Sequence, residues 1–79
     1  MDTQTEVVND IIANLDEKQK DAIRNTPKAE LFQFHHTWGR QIRNTYQLWN
    51  NKALLADIGE THPDDASSVV IKSVWEKIR

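Results

Sequence analysis

The chain has 79 residues, a formal net charge of −2 and no cysteine. This length predicts a single domain over residues 1–79 with one small core. The lack of cysteine excludes disulfides and cysteine-based metal sites. No apolar run approaches the roughly 18 residues of a membrane span, and the acidic N-terminal segment is unlike a signal peptide. We therefore expect a cytoplasmic protein that does not associate with membranes.

Charge is unevenly distributed along the chain. The middle part, residues 27–52, is basic, whereas both flanking parts are acidic. A nucleic-acid interface needs a denser cluster of basic residues than this. The pattern favours charge complementarity within the domain, and we do not expect nucleic acid as a partner.

Apolar residues in the N-terminal third recur at helical spacing. They predict an amphipathic helix over residues 4–14, with residues 1–4 frayed. Its apolar stripe consists of Val7, Val8, Ile11, Ile12 and Leu15. Asp16, followed by Gln19 three residues later, matches a capping box and predicts a second helix over residues 17–25.

The aromatic stretch in the middle of the chain has the clearest helical period. Its apolar stripe consists of Leu31, His35, Trp38, Ile42, Tyr46 and Trp49. The spacings of three and four residues predict one long central helix over residues 27–50, and Pro27 suits its first position. Gly39 is the residue whose low helix propensity most weakens the interior of this predicted helix. We interpret it as the place where another helix approaches closely.

The C-terminal third predicts two further helices. Residues 52–58 form a short helical segment that ends at Gly59. Pro63, Asp64 and Asp65 begin a last helix over residues 63–78, because acidic side chains stabilise a helix N-terminus. The predicted fold class is therefore all-α: a small bundle of four main helices and one short helical segment, with the long helix central.

The histidines are the first candidates for chemistry. His35 lies within the apolar stripe, so we interpret it as a core histidine in preference to a ligand or general base. His36 points to a different helical face, so the pair does not chelate one metal ion. A zinc site would need His62 and Asp64 as well, and nothing in the sequence fixes that geometry. We expect no metal and no cofactor.

Arg43 borders the apolar stripe of the central helix, and Asp64 borders that of the last helix. This placement predicts an ion pair between the two helices. The alternative is functional, since Arg43, Arg40 and Asn44 together offer donors that bind a phosphate or carboxylate group. Both interpretations stay open from the sequence.

Phe32 and Phe34 flank the stripe at its two edges, and we expect at least one of them to be partly exposed. Phe32, His36, Arg40 and Asn44 form the candidate strip, a surface suited to a protein partner. Trp38 and Trp75 are expected in the core. No serine elbow, glycine-rich phosphate loop or carboxylate pair is evident, so we expect no catalytic residues and no enzyme.

Two sequence blocks are similar to a known family. Residues 34–49 read FHxxxGRxIRNxYxLW, and residues 64–75 read DDASxxVIxxxW. Together they resemble a family of small, uncharacterised bacterial domains of unknown function, although residues 36–38 depart from its pattern of smaller or aliphatic residues. The resemblance implies a shared fold but no reaction. It also implies a cluster of His35, Arg40, Arg43, Asn44, Asp64 and Asp65.

These observations lead to two functional hypotheses. The preferred one is a non-enzymatic module that binds a protein partner, as a small regulator or inhibitor does. The other is a binder of a small anion or nucleotide through the histidine, arginine and asparagine residues of the central helix. The sequence leaves the partner's identity and homo-oligomerisation open.

Overall fold

The computed structural model describes residues 2–79, and every regular element within them is helical. The elements are α1 (Gln4–Asn14), α2 (Glu17–Arg24), a 3₁₀ helix (Lys28–Phe34), α3 (Trp38–Thr45), α4 (Lys52–Ile58) and α5 (Pro63–Ile78). The all-α class is confirmed. The predicted number of helices is wrong. Four main helices and one short segment were expected, whereas residues 2–79 form five α-helices and a 3₁₀ helix. Across residues 2–79, no helix has the length and apolar character that crossing a membrane requires.

The first two helices begin at the predicted residues, and a side chain caps each of them. The Asp16 side chain accepts a hydrogen bond from the Gln19 backbone N–H, and the Gln19 side chain accepts one from the Asp16 N–H, at 2.7 and 3.0 Å. This reciprocal pair is the predicted capping box. At the start of α1, Thr3 accepts from the Glu6 N–H, and the Gln4 N–H donates to Asp57. Residues 1–4 were predicted to be frayed. Within this range Thr3 and Gln4 make the two hydrogen bonds just described, and Met1 lies outside the described residues.

The last two helices also have the predicted bounds. Gly59 follows α4 with a φ of 87°, a left-handed conformation that glycine adopts without steric strain. Pro63 opens α5, and Asp64 and Asp65 lie in its first turn. Local turn and capping chemistry therefore specifies both ends of the loop between α4 and α5.

Helix α5 is the centre of the domain, because every other helical element packs against it. Its buried face consists of Ala66, Ser67, Val70, Ile71, Val74 and Trp75. The Trp75 indole also donates a hydrogen bond to the carbonyl of Thr26, at 2.8 Å. The long aromatic helix was expected to occupy this central position, and α5 occupies it instead.

The prediction of one continuous helix over residues 27–50 is wrong. The 3₁₀ helix ends at Phe34, residues 35–37 form a turn, and α3 begins at Trp38. Residues 34–39 read FHHTWG, and each has a helix propensity lower than that of alanine by roughly 0.5–1 kcal/mol. The carbonyl of His35 accepts a hydrogen bond from the Arg43 side chain, at 3.4 Å, so tertiary structure stabilises the turn.

A second break follows α3. Gln47 has a φ of 51°, and the Leu48 N–H donates to the carbonyl of Arg43. This turn buries Leu48 completely and leaves Trp49 50% exposed. A continuous helix would have placed Trp49 on the apolar stripe and Leu48 beside it, so the prediction for Trp49 is also wrong.

Candidate functional site

Arg43 connects α3 to α5 and to the turn before α3. Its side chain is buried, and its Nε lies 3.3 Å from Oδ1 of Asp64. Its Nη1 donates to Oγ of Ser67 at 2.9 Å, and its Nη2 donates to the carbonyl of His35. The predicted contact between Arg43 and Asp64 is confirmed, and each of the three guanidinium nitrogens contacts a protein acceptor.

Gly39 makes room for this guanidinium. A Cβ atom at Gly39 would lie 3.3 Å from Nη1 of Arg43 and 3.5 Å from Oγ of Ser67. Ser67 belongs to α5, so another helix does pack beside Gly39, but the tighter contacts of a Cβ atom, at 3.3 Å, would be with Arg43 and the carbonyl of Phe34. The two sequence blocks that carry the family resemblance therefore meet at Gly39, Arg43, Asp64 and Ser67.

The ion pair itself is only partly shielded from water. The Asp64 side chain is 67% exposed, and such pairs contribute about 0–1 kcal/mol. The buried hydrogen bond to Ser67 is the more stringent constraint on Arg43. Arg40, Asn44 and Asp65 of the implied cluster are exposed.

The two adjacent histidines lie in the turn of residues 35–37. Their rings contact each other edge to face, with centroids 5.0 Å apart. His36 is exposed, and His35 is half-buried, so the expectation of a core histidine is wrong. The turn in place of a regular helix accounts for this position. His62 is exposed and precedes α5, and residues 2–79 contain no group of three side chains placed to hold a metal ion.

Phe32 is the most exposed large apolar side chain in the described part of the chain, at 77%. It borders a shallow concavity of about 220 Å³. We call this concavity the Phe32 surface; it is lined by Lys28, Leu31, Phe32, His35, Ser68, Ile71 and Lys72. Phe34 is half-buried and contacts the Trp38 ring edge to face. The prediction that one of the two phenylalanines is exposed is confirmed.

The candidate strip does not lie on one helix. Phe32, His36, Arg40 and Asn44 are all exposed, but the turn at residues 35–37 separates Phe32 from the two residues on α3. The neighbours of Phe32 in the Phe32 surface include Lys72, from α5. No local sequence pattern links Phe32 to Lys72, so this lysine could not be predicted from the sequence.

A larger groove lies on another part of the domain. We call it the α1–α3 groove, and it encloses about 700 Å³. Its lining residues are Asp10, Ile11, Asn14, Leu15, Gln19, Ala22, Ile23, Phe34, Thr37, Trp38, Gln41, Ile42, Thr45 and Tyr46. Trp38, expected in the core, is half-buried because it lines this groove. The groove could not be predicted from the sequence, because its walls come from helices that are separate in sequence.

One end of the α1–α3 groove contains a pair of polar side chains. The Tyr46 hydroxyl donates a hydrogen bond to Oδ2 of Asp10, at 2.5 Å. Burial raises the pKa of Tyr46 above its usual value, and the hydrogen bond to Asp10 and the charge of that carboxylate raise it further. Tyr46 was predicted as a stripe residue only, and Asp10 carried no predicted role.

Comparison with known proteins identifies a family but no characterised relative. No curated protein and no solved structure matches the chain. The family described as "Domain of unknown function (DUF6794)" matches residues 3–78. This match covers nearly the whole chain and agrees with the resemblance seen in the two sequence blocks. The chain therefore belongs to this family of domains of unknown function.

Proposed function

We propose that the domain is a non-enzymatic module that binds a protein partner through the Phe32 surface. The observation that carries this proposal is the exposure of Phe32, which is 77%, beside Leu31, which is buried. Aromatic side chains are enriched among the residues that dominate binding energy at protein interfaces. An exposed ring beside a concavity is the arrangement that a partner's apolar side chain would complete.

The charges around Phe32 specify the chemistry of the partner. Lys28 and Lys72 line the Phe32 surface, and Leu31 and Ile71 supply its apolar floor. Lys72 lies 3.9 Å from Glu76, and both side chains are at least half exposed, so this weak contact leaves Lys72 able to pair elsewhere. A complementary segment presents an apolar side chain flanked by aspartate or glutamate. A regulator or inhibitor that recognises such a segment is the form of function we favour.

The anion or nucleotide hypothesis has less support. Arg43 would be its central donor, and all three nitrogens of Arg43 contact protein acceptors. Arg40 and Asn44 are exposed, and they alone make a weaker anion site. A thermal-shift screen with inorganic phosphate and nucleotides tests this alternative. A rise in melting temperature that is lost in Arg40→Gln would favour it over the protein-partner proposal.

The direct test places a photo-crosslinking phenylalanine analogue at position 32 of the full chain, in cells that express the protein. We expect crosslinks to an acidic segment of one protein. Reconstituted binding to that segment should weaken at least about tenfold in Phe32→Ser, a loss within the range of interface hot spots. Lys72→Glu should weaken it as well, and added salt should weaken it further.

Trp49→Ser is the matched control, because Trp49 is the other exposed large apolar side chain within residues 2–79 and is 50% exposed. This variant should bind the segment like the wild type. Both serine variants should retain the melting temperature within a few degrees, which separates lost binding from lost folding. Unchanged binding by Phe32→Ser, or equal losses in both serine variants, would refute the proposal.

A further inference from the structure

We propose that the α1–α3 groove binds a small organic cation, a protonated amine carried on an aromatic or apolar body. This site shares no lining residue with the Phe32 surface. It is therefore a second binding function, independent of the proposed protein partner.

The size and the walls of the groove suit a small molecule. Its volume of about 700 Å³ is within the range of small-molecule sites in proteins. Ile11, Leu15 and Ile42 contribute apolar side chains, and Phe34 and Trp38 contribute aromatic rings whose centroids lie 5.8 Å apart. Such walls bind an aromatic body by apolar contact and ring stacking.

The charge in the groove determines the sign of the ligand. Asp10 is the one carboxylate among its lining residues, and no lysine, arginine or histidine is among them. Asp10 accepts a hydrogen bond from Tyr46, and an ionised carboxylate accepts several, so it can also receive an ammonium group. Tyr46 directly follows the C-terminal end of α3, where the helix dipole also favours a cation.

The distance between the aromatic pair and Asp10 favours a ligand that carries a single amine on a single aromatic ring system. Trp38 begins α3 and Tyr46 follows its last residue, so at the helical rise they are separated by about 12 Å along the axis. The aromatic pair and the Tyr46–Asp10 pair are therefore about two helical turns apart along α3. A fused-ring system with an aminoalkyl chain extends from one towards the other, whereas an anionic ligand would face Asp10 without a compensating cation.

Titration with tryptamine tests the proposal, followed by two-dimensional NMR of the intact chain. Tryptamine has roughly a dozen non-hydrogen atoms, and typical affinity per atom predicts a dissociation constant near the millimolar range. We expect saturable shifts at the Trp38 indole N–H and at Asp10 and Tyr46 amides. The neutral analogue 3-ethylindole should bind at least about fivefold more weakly, because it lacks the charge-assisted hydrogen bond.

Three variants locate the charge effect. Asp10→Asn should bind tryptamine and 3-ethylindole equally, whereas Asp65→Asn, a change of an exposed carboxylate on α5, should keep the wild-type preference. Thr45→Lys adds a cation to the groove lining without altering Asp10, and it should weaken tryptamine binding even if Asp10→Asn does not fold.

Several results would overturn the proposal. Equal binding of tryptamine and 3-ethylindole by the wild type would remove the role of charge, and so would a preference that persists in Asp10→Asn. Tryptamine-induced shifts confined to the Phe32 surface would place the ligand elsewhere. Shifts at Trp38 that depend on protein concentration without ligand would show that a second copy of the chain occupies the groove.

Discussion

Gly39 lies directly against Arg43, since a methyl group at Gly39 would be 3.3 Å from Nη1 of the guanidinium. The space left by the missing side chain admits the guanidinium, which reaches Ser67 on α5 and the carbonyl of His35. One buried side chain thus joins α3 to α5 and stabilises the turn that precedes α3.

Replacing Gly39 with valine should destabilise the domain. The added methyl groups would crowd Arg43 and the carbonyl of Phe34, and overpacking of this kind costs about 1–3 kcal/mol. Gly39→Ala should lose less, because alanine regains about 1 kcal/mol of helix propensity. Urea unfolding followed by tryptophan fluorescence measures both changes, with the exposed Arg40→Ala as control. A Gly39→Val variant as stable as the wild type would show that the guanidinium does not need this space.

Neighbouring serines on α5 offer a matched test of the buried hydrogen bond. Ser67 is fully buried and accepts from Arg43, whereas Ser68 is exposed and bonds only to the carbonyl of Asp64 among the described contacts. Ser67→Ala leaves a buried guanidinium N–H without its acceptor, which costs about 1–3 kcal/mol. Ser68→Ala should change the unfolding free energy by less than about 0.5 kcal/mol. Equal losses would show that the bond between Arg43 and Ser67 contributes nothing specific.

Tyr46 predicts a pH dependence of stability on the alkaline side. Its pKa is higher in the folded protein than in the unfolded chain, so the folded state retains the phenolic proton more strongly. The resulting stability is fully present below the unfolded pKa of about 10 and is lost as the pH rises through the folded pKa. Tyr46→Phe should therefore show a shallower loss of stability above about pH 10.

The chain contains one tyrosine, so the ultraviolet absorbance of tyrosinate measures Tyr46 directly. In Asp10→Asn the pKa of Tyr46 should fall, because the variant removes the carboxylate charge, yet stay above its usual value, because burial remains. An ordinary tyrosine titration in the folded wild type would contradict this account.

Gln47 should tolerate glycine better than other positions do. Its φ of 51° is left-handed, a conformation that costs a residue with a side chain roughly 1–2 kcal/mol. Glycine would remove this cost, although its greater chain entropy in the unfolded state offsets part of the gain in stability. Gln47→Gly should raise the free energy of unfolding by up to about 1 kcal/mol, whereas Gln41→Gly, within α3, should lower it by about 0.5 kcal/mol. Thermal unfolding compares the two, and a loss in Gln47→Gly would exclude strain at this position.

Local sequence signals predicted the ends of most helices. Asp16 with Gln19, Gly59 and Pro63 each act within one helical turn, so their effects could be inferred from neighbours in the sequence. The prediction of one continuous central helix was wrong, because it relied on the apolar period, whereas the helix propensity of residues 34–39 is low. There the bond from Arg43 to His35 stabilises the turn, and no local pattern reveals that tertiary contact.

For the candidate sites too, features that follow from the pattern of one helix could be predicted, and features that depend on packing between helices could not. The contact between Arg43 and Asp64 could be inferred, because each residue borders an apolar stripe on its own helix. The exposure of Phe32 was inferred in the same way. Lys72 beside Phe32, and Asp10 beside Tyr46, depend on how separate helices pack, and helical periodicity does not specify that arrangement.

The central position of α5 has a consequence for hydrogen exchange. Because α1, α2, the 3₁₀ helix, α3 and α4 each pack against α5, each of them loses a packing partner when α5 unfolds. Amides in α1 and α3 should therefore exchange together with those of α5, through global opening and not helix by helix. A domain assembled around one helix in this way behaves as a single foldon.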